Sequence, residues 1–268
     1  GGAGTDLMIG GDGNDRYITD NPNDVSEEQG DIWNWELVES LRQEYTLGDN
    51  LEQLNLIGNE NIDGTGNELQ NKIYGNHNIN NLKGGLNDDT LIGNGGDDIL
   101  SDISGNETYE FTLNDGNDTI TDLDGTDTIL FKTEITKNNL KFIKNDKDLE
   151  IEYSETDKIT IQNWFANTDN RIENIEFTDD SINNISGVDN IEAEITKIIG
   201  TDQADSNLTG NDNDNEIYGL AGADTLDGGA GTDLMIGGDG NDRYITDNPN
   251  DVIEEQGDIW NWDLVESL

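Results

Sequence analysis

The stretch GLAGADTLDGGAGTDLMIGGDGNDRYI (residues 219–245) is three nonapeptides in one register, each with a glycine-rich first half, Asp at position six and an apolar residue at position eight. Glycines permit φ above zero and let carbonyls crowd toward a common centre, while a carboxylate at position six supplies the anionic oxygen that a hard cation binds. The last three residues of each unit read as a short strand, with Leu226, Met235 and Tyr244 pointing inward and their neighbours outward. Two nonapeptides make one turn of a solenoid, so Asp224 and Asp242 fall on adjacent rungs of one edge. At a rung spacing of about 4.8 Å, carboxylates stacked in this way need a cation between them.

The same period recurs elsewhere. GGAGTDLMI (1–9) and GGDGNDRYI (10–18) are perfect copies, and frayed ones begin at residues 66, 75, 84, 93, 102, 113, 122 and 210, with a two-residue slip before 113. Met8, Tyr17, Leu82, Leu91, Leu100, Ile120 and Ile129 hold position eight and are expected in a narrow core. A longer period lies over this one. Residues 1–41 return at 228–268 with only Ser26→Ile253 and Glu36→Asp263 changed, so the chain reads as one period of 227 residues and the start of another, a slice of a tandem array with Gly1 and Leu268 as cuts.

Composition bounds the class. Sixty acidic residues against 13 basic ones leave a formal charge of −47, and hydrophobic content is 31%. Self-repulsion and a thin apolar inventory leave conformational entropy uncompensated unless a cation supplies neutralisation and cross-links. The charge disfavours nucleic acid and anionic membrane surfaces as partners. There is no cysteine for a disulfide or thiolate site, and no apolar run approaches the ~18 residues of a membrane span. Residues 132–171 are the exception, with seven basic and eight acidic residues, and they alternate like an ordinary strand-rich segment.

The nonapeptide resembles the RTX (repeats-in-toxin) haemolysin-type calcium-binding repeat, GGxGxDxUx. That resemblance implies an all-β fold of parallel β-roll stacks with several Ca²⁺ ions lodged between turns. Carried over by position, the ligands are Asp6, Asp15, Asp89, Asp98, Asp118, Asp127, Asp224, Asp233 and Asp242. The glycine region adds Gly2, Gly4, Gly11, Gly13, Gly229, Gly231, Gly238 and Gly240, with Asp12 and Asp239 among them. Asn71, Asn80, Glu107 and Asn215 hold the slot without Asp, and weak or no sites are expected there; the asparagines are expected to bond between rungs as a ladder. Residues 15–76 look like the connector of long RTX surface proteins, with Trp33, Trp35 and Leu37 on one packed strand face. Residues 130–182 resemble the haemolysin-type calcium-binding related module and hold the aromatic and branched residues for a metal-independent core.

The expected organisation is therefore a calcium β-roll end (1–18), a strand-rich connector (19–65), a degenerate β-roll stack (66–130), the related module (131–182), a linker (183–209) with a short helix at Ile191 to Ile199, a calcium β-roll stack (210–245) and the start of the next connector (246–268). Catalysis lacks its parts, since His77 is the sole histidine and no zinc motif, nucleophile elbow or P-loop is present. The expectation is a non-enzymatic, calcium-dependent structural segment of a large secreted or cell-surface protein, an adhesin stalk or surface filament, bacterial and exported by type I secretion. The alternative is a calcium-triggered C-terminal module of a toxin or extracellular enzyme. Expected partners are adjacent copies of the same repeat, associating head to tail; a carbohydrate or cell-surface ligand is not specified by these residues.

Overall fold

The computed structural model describes residues 1–29, 35–179, 183–256 and 262–268. The chain is all-β apart from short helical turns, and its contacts divide it into two units. The first comprises residues 1–139, 153–162 and 167–186; the second comprises 140–152, 163–166 and 187–268.

In the first unit, successive short strands go alternately to two parallel sheets. One sheet runs through Arg16–Thr19, Leu37–Ser40, Gln53–Leu56, Lys72–Tyr74, Thr90–Ile92, Thr108–Phe111, Thr128–Phe131 and Asn174–Phe177. The other runs through Glu44–Thr46, Asp63–Thr65, Asn81–Lys83, Ile99–Ser101, Asn117–Thr121 and Lys158–Ile161. Each turn of this solenoid spends one strand on each sheet. Leu91 therefore stacks between Ile73 and Tyr109, eighteen residues either way, whereas Leu100 pairs with Leu82 and then Ile120, absorbing the two-residue slip. Residues 19–65 carry no consensus glycines yet continue the same parallel ladder.

The second unit repeats the plan. Ile195–Ile199, Glu216–Ala221, Leu234–Asp239 and Val252–Glu254 form one parallel ladder, begun by the antiparallel hairpin of Lys141–Asn145 with Asp148–Glu152. Leu208–Thr209, Thr225–Asp227, Arg243–Thr246 and Leu264–Ser267 form the other. The expected helix at 191–199 is displaced: the α-helix is Val188–Glu192, and Ile195–Ile199 is a strand. Its β-branched residues have ladder partners on both sides, Phe142–Asn145 and Glu216–Tyr218, which outweighs any local helical preference.

The core is a single file of inward side chains. Leu82, Leu91, Leu100, Ile120, Ile129, Leu226, Met235 and Tyr244 are fully buried, Tyr17 nearly so and Met8 half-buried. Full burial of each aliphatic side chain contributes about 1.5–3 kcal/mol. The related module supplies the aromatic part, with Phe131 beside Phe111, Tyr153 and Phe177 at centroid distances of 5.3–6.2 Å. In the second unit Trp164 is fully buried and its Nε1 donates to Glu192 at 3.0 Å. Of the expected packed face of Trp33, Trp35 and Leu37, the two described residues, Trp35 and Leu37, do not face the core. In Leu37–Ser40 the inward residues are Val38 and Ser40, because the strand begins at Leu37 and the pleat turns Leu37 outward; Trp35 precedes it, 47% exposed. Trp33 and Trp260 lie outside the described residues.

Candidate metal centre

Between strands the chain turns sharply, and position four of the repeat is where glycine is required. Gly231 has φ +129°, and a Cβ there would stand 2.5 Å from the Asn213 carbonyl of the preceding rung. This close stacking draws the position-six residues into a column along each edge of the solenoid. Within a column, several position-six backbone N–H groups donate to Oδ1 of the next rung. The distances are 2.6 Å for Asn71 to Asp89, 2.7 Å for Asn80 to Asp98, 2.9 Å for Asp98 to Asp118, and 2.8 Å for Asn215 to Asp233 and for Asp224 to Asp242.

That bond uses one oxygen and leaves the other. Oδ2 of Asp89, Asp98, Asp118, Asp224, Asp233 and Asp242 is buried with no hydrogen-bond partner. These side chains are about 1% exposed, and each Oδ2 of Asp89, Asp98, Asp224, Asp233 and Asp242 sits over the first glycine of its own repeat, in space a Cβ would occupy. On Gly219 that Cβ would lie 2.6 Å from Asp224 Oδ2 and 2.5 Å from the Gly237 carbonyl oxygen. A charged oxygen and a carbonyl oxygen thus converge on one point, with no donor between them. Burial pushes the carboxyls upward, to about 8 for Asp89 and Asp118, about 7 for Asp98 and about 6 for Asp224 and Asp233. Backbone donation opposes the rise, and neighbouring carboxylates add to it. An unmet buried anion costs several kcal/mol, so the donor set fits a hard cation that takes oxygen ligands.

The asparagine-slotted repeats show the contrast. Asn71, Asn80 and Asn215 each accept the position-two N–H at Oδ1, at 2.7, 2.7 and 2.9 Å. Their Nδ2 groups donate to the carbonyls of Leu51, Ile62 and Ile195, at 3.1, 2.6 and 3.1 Å. The amide does by hydrogen bonding what the carboxylate leaves undone. These are the inter-rung ladders expected from the sequence.

Other predicted residues are placed differently. Asp6 and Asp15 are half-buried; Asp6 Oδ2 accepts the Gly2 N–H at 2.8 Å, and Asp15 Oδ2 and Glu28 Oε2 each lie 2.5 Å from where a Cβ on Gly10 would sit. Asp12, at a bend, and Asp239, the last residue of the Leu234–Asp239 strand, are exposed, whereas the other position-six aspartates of the columns are buried. Gly2, Gly4, Gly11 and Gly13 have open space at their Cβ positions, whereas those of Gly229, Gly231, Gly238 and Gly240 are blocked by carbonyls of the rung before. Glu107 is buried rather than marginal, and lies within reach of Asp122 and Asp127. His77 is exposed.

The columns also run further than the consensus. Asp24 and Asp251 accept the N–H of Asp6 and Asp233 at 3.0 and 3.1 Å, and Asp263 accepts that of Asp242 at 3.0 Å. Asp205, inside the expected linker, accepts the Thr201 N–H at Oδ2, 2.7 Å away, and its own N–H donates to Asp224 at 2.8 Å. The sequence signal for these is their spacing from a consensus Asp, since the glycine pattern around them is missing apart from Gly200, five residues before Asp205. Oxygens of Asp242, Glu255 and Asp263 lie within 4.8 Å of one another.

Parallel rungs with stacked, half-satisfied aspartates define a β-roll of the calcium-binding type. Four segments of the chain, residues 1–25, 71–101, 112–131 and 209–244, match the RTX calcium-binding nonapeptide repeat family, and residues 148–182 match the haemolysin-type calcium binding protein related domain. These segments have a calcium-binding structural role of the kind found in secreted proteins. No curated protein matches the chain. Among solved structures it is similar to the extracellular lipase LipA from Serratia marcescens, with 17% identity and a TM-score of 0.24; the match covers 84% of this chain and 37% of the lipase chain.

Proposed function

We propose that the chain is a calcium-assembled structural segment of a secreted or cell-surface protein, a stalk or filament in which Ca²⁺ closes each turn of the β-roll onto the next. The observation that carries this reading is the set of six buried Oδ2 atoms without partners, each over a first glycine or within its column. Asp89, Asp98, Asp118, Asp224, Asp233 and Asp242 would hold the ions, with carbonyls of the first glycines beside them. When bound, calcium supplies the positive charge that the described side chains do not bring to these oxygens. The protein's own part is to fix the rung spacing, bury the column and aim one carboxylate oxygen at each gap.

The stalk assignment rests on the 227-residue period, whose second copy differs at two of 41 positions. Near-identical periods stack into length and stiffness. Folding would follow export, since extracellular calcium modules bind at about 10⁻⁴ to 10⁻³ M and so fill where calcium is plentiful. The role is structural rather than catalytic, and the partner is the adjacent copy of the repeat. Force spectroscopy on the chain in millimolar calcium and in chelator tests the proposal. A stalk segment should resist extension cooperatively in calcium and extend without a force peak in chelator; equal resistance in both would overturn it.

A further inference from the structure

The middle of the first unit departs from the nonapeptide pattern at three acidic positions. Asp102 and Asp122 stand at position one, where the consensus has glycine, and Glu107 stands at position six. These departures fall together. Asp102, Glu107, Asp122 and Asp127 are all buried in one column, and none takes part in a described ion pair. One oxygen from each of Glu107, Asp122 and Asp127 lies within 4.8 Å of the others. On the rung below, a Cβ on Gly84 would overlap Oδ2 of both Asp89 and Asp102, so those two carboxylates also face one gap.

A second observation is independent of the acidity. Glu107 is 1% exposed, yet neither Oε1 nor Oε2 has a hydrogen-bond partner, and Asp102 Oδ2 lacks one too. The remaining oxygens are held in place. Tyr109 Oη donates to Asp122 Oδ2 at 2.6 Å, the Glu107 N–H donates to Asp127 Oδ1 at 2.8 Å, and Ser104 N–H donates to Asp102 Oδ1 at 3.3 Å. Fixed carboxylates thus surround a Glu whose two oxygens have no hydrogen-bond partner. In a consensus rung the first residue offers only a carbonyl; here it offers a second carboxylate, so the number of anionic ligands per gap rises.

We propose that Asp102, Glu107, Asp122 and Asp127 form a separate, carboxylate-rich cation site that takes Ca²⁺, or a trivalent lanthanide in its place, more tightly than the consensus gaps of residues 210–245. The assignment builds on the calcium reading of the columns but uses a donor set that the nonapeptide consensus does not contain. Affinity of oxygen sites follows the count of charged ligands, over orders of magnitude. All donors are hard oxygens, which excludes soft-metal preference. The site would stay loaded at calcium concentrations that empty the consensus rungs, and so seed the fold from the middle of the first unit.

The test is isothermal titration of the whole chain with calcium, then with terbium, comparing Glu107→Gln, Asp122→Asn and Asp242→Asn. The substitutions are close to isosteric, and asparagine at 122 keeps an acceptor for Tyr109, so this variant carries the test if Glu107→Gln fails to fold. Expected is a tight class of binding in the parent chain, weakened on the order of tenfold or more in Glu107→Gln and Asp122→Asn and unchanged in Asp242→Asn. A tight class that survives both substitutions, or is lost equally in Asp242→Asn, overturns this site while leaving calcium binding by the columns intact. Absence of any calcium binding overturns both readings.

Discussion

Replacing Asp233 by asparagine should change the sign of its effect with calcium. Asp233 Oδ1 accepts the Asn215 N–H at 2.8 Å, and Oδ2 is buried over Gly228 with no partner. An asparagine that keeps Oδ1 on the first bond puts an N–H donor in place of the orphaned oxygen. In chelator the variant is therefore relieved of an unsatisfied buried acceptor, worth about 1–3 kcal/mol. In calcium it loses a charged ligand. For a site of Kd about 10⁻⁴ to 10⁻³ M at about 10 mM Ca²⁺, that ligand's linkage is worth about 1.4–2.7 kcal/mol. For a chain of this size each kcal/mol moves Tm by roughly 2–4 °C. Circular dichroism melts should show Asp233→Asn several degrees above the parent in EDTA at pH 8 and several degrees below it in calcium. Destabilisation of the same size in both solutions would refute the reasoning, since it would mean Oδ2 has a protein partner that asparagine cannot replace.

Other expectations follow from the same geometry. Asn80→Ala removes three hydrogen bonds but no charge, so it should leave the number of bound calcium ions unchanged by equilibrium dialysis while lowering Tm. Gly228→Ala puts a methyl group where Asp233 Oδ2 lies and should abolish binding at that gap, with calorimetry showing the loss. Phe131→Ala opens a cavity beside Phe111, Tyr153 and Phe177 and should cost about 3–5 kcal/mol in urea unfolding with calcium present, with no loss of bound ions. The pH dependence without metal has an unusual sign. Because burial raises Asp98, Asp118 and Asp224 above their ordinary value of 3.8, to between about 6 and about 8, the folded state binds more protons than the unfolded one across that window. Metal-free stability should thus fall as pH rises from about 4 to about 8, while calcium affinity rises, and melts in EDTA across that range check the first half.

The solenoid was legible because its cause is local: nine residues specify a turn, a carboxylate and an inward side chain, and the register repeats. The aromatic core of residues 131–182 was legible from alternation in the same way. What escaped notice depends on neighbours eighteen or more residues away. Asp102 and Asp122 look like spoiled glycines in isolation, and only the stacking shows that they face Asp89 and Glu107 across a gap. Asp24, Asp205, Asp251 and Asp263 join the columns through inter-rung hydrogen bonds without the full glycine signature around them. Ile195–Ile199 read as helical from its own sequence because its ladder partners, residues 142–145 and 216–218, are distant in the chain. The outward turn of Leu37 depends on where the strand begins, which no periodicity of tryptophans reveals.

The central claim, that calcium ions close the rungs of this roll, is tested most directly by measuring bound calcium per chain and β content together as free Ca²⁺ rises from excess EDTA to 10 mM. The account predicts that both rise in step, cooperatively, with the consensus gaps filling at about 10⁻⁴ to 10⁻³ M. A β content in EDTA equal to that in millimolar calcium, or calcium uptake that leaves β content unchanged, would contradict it.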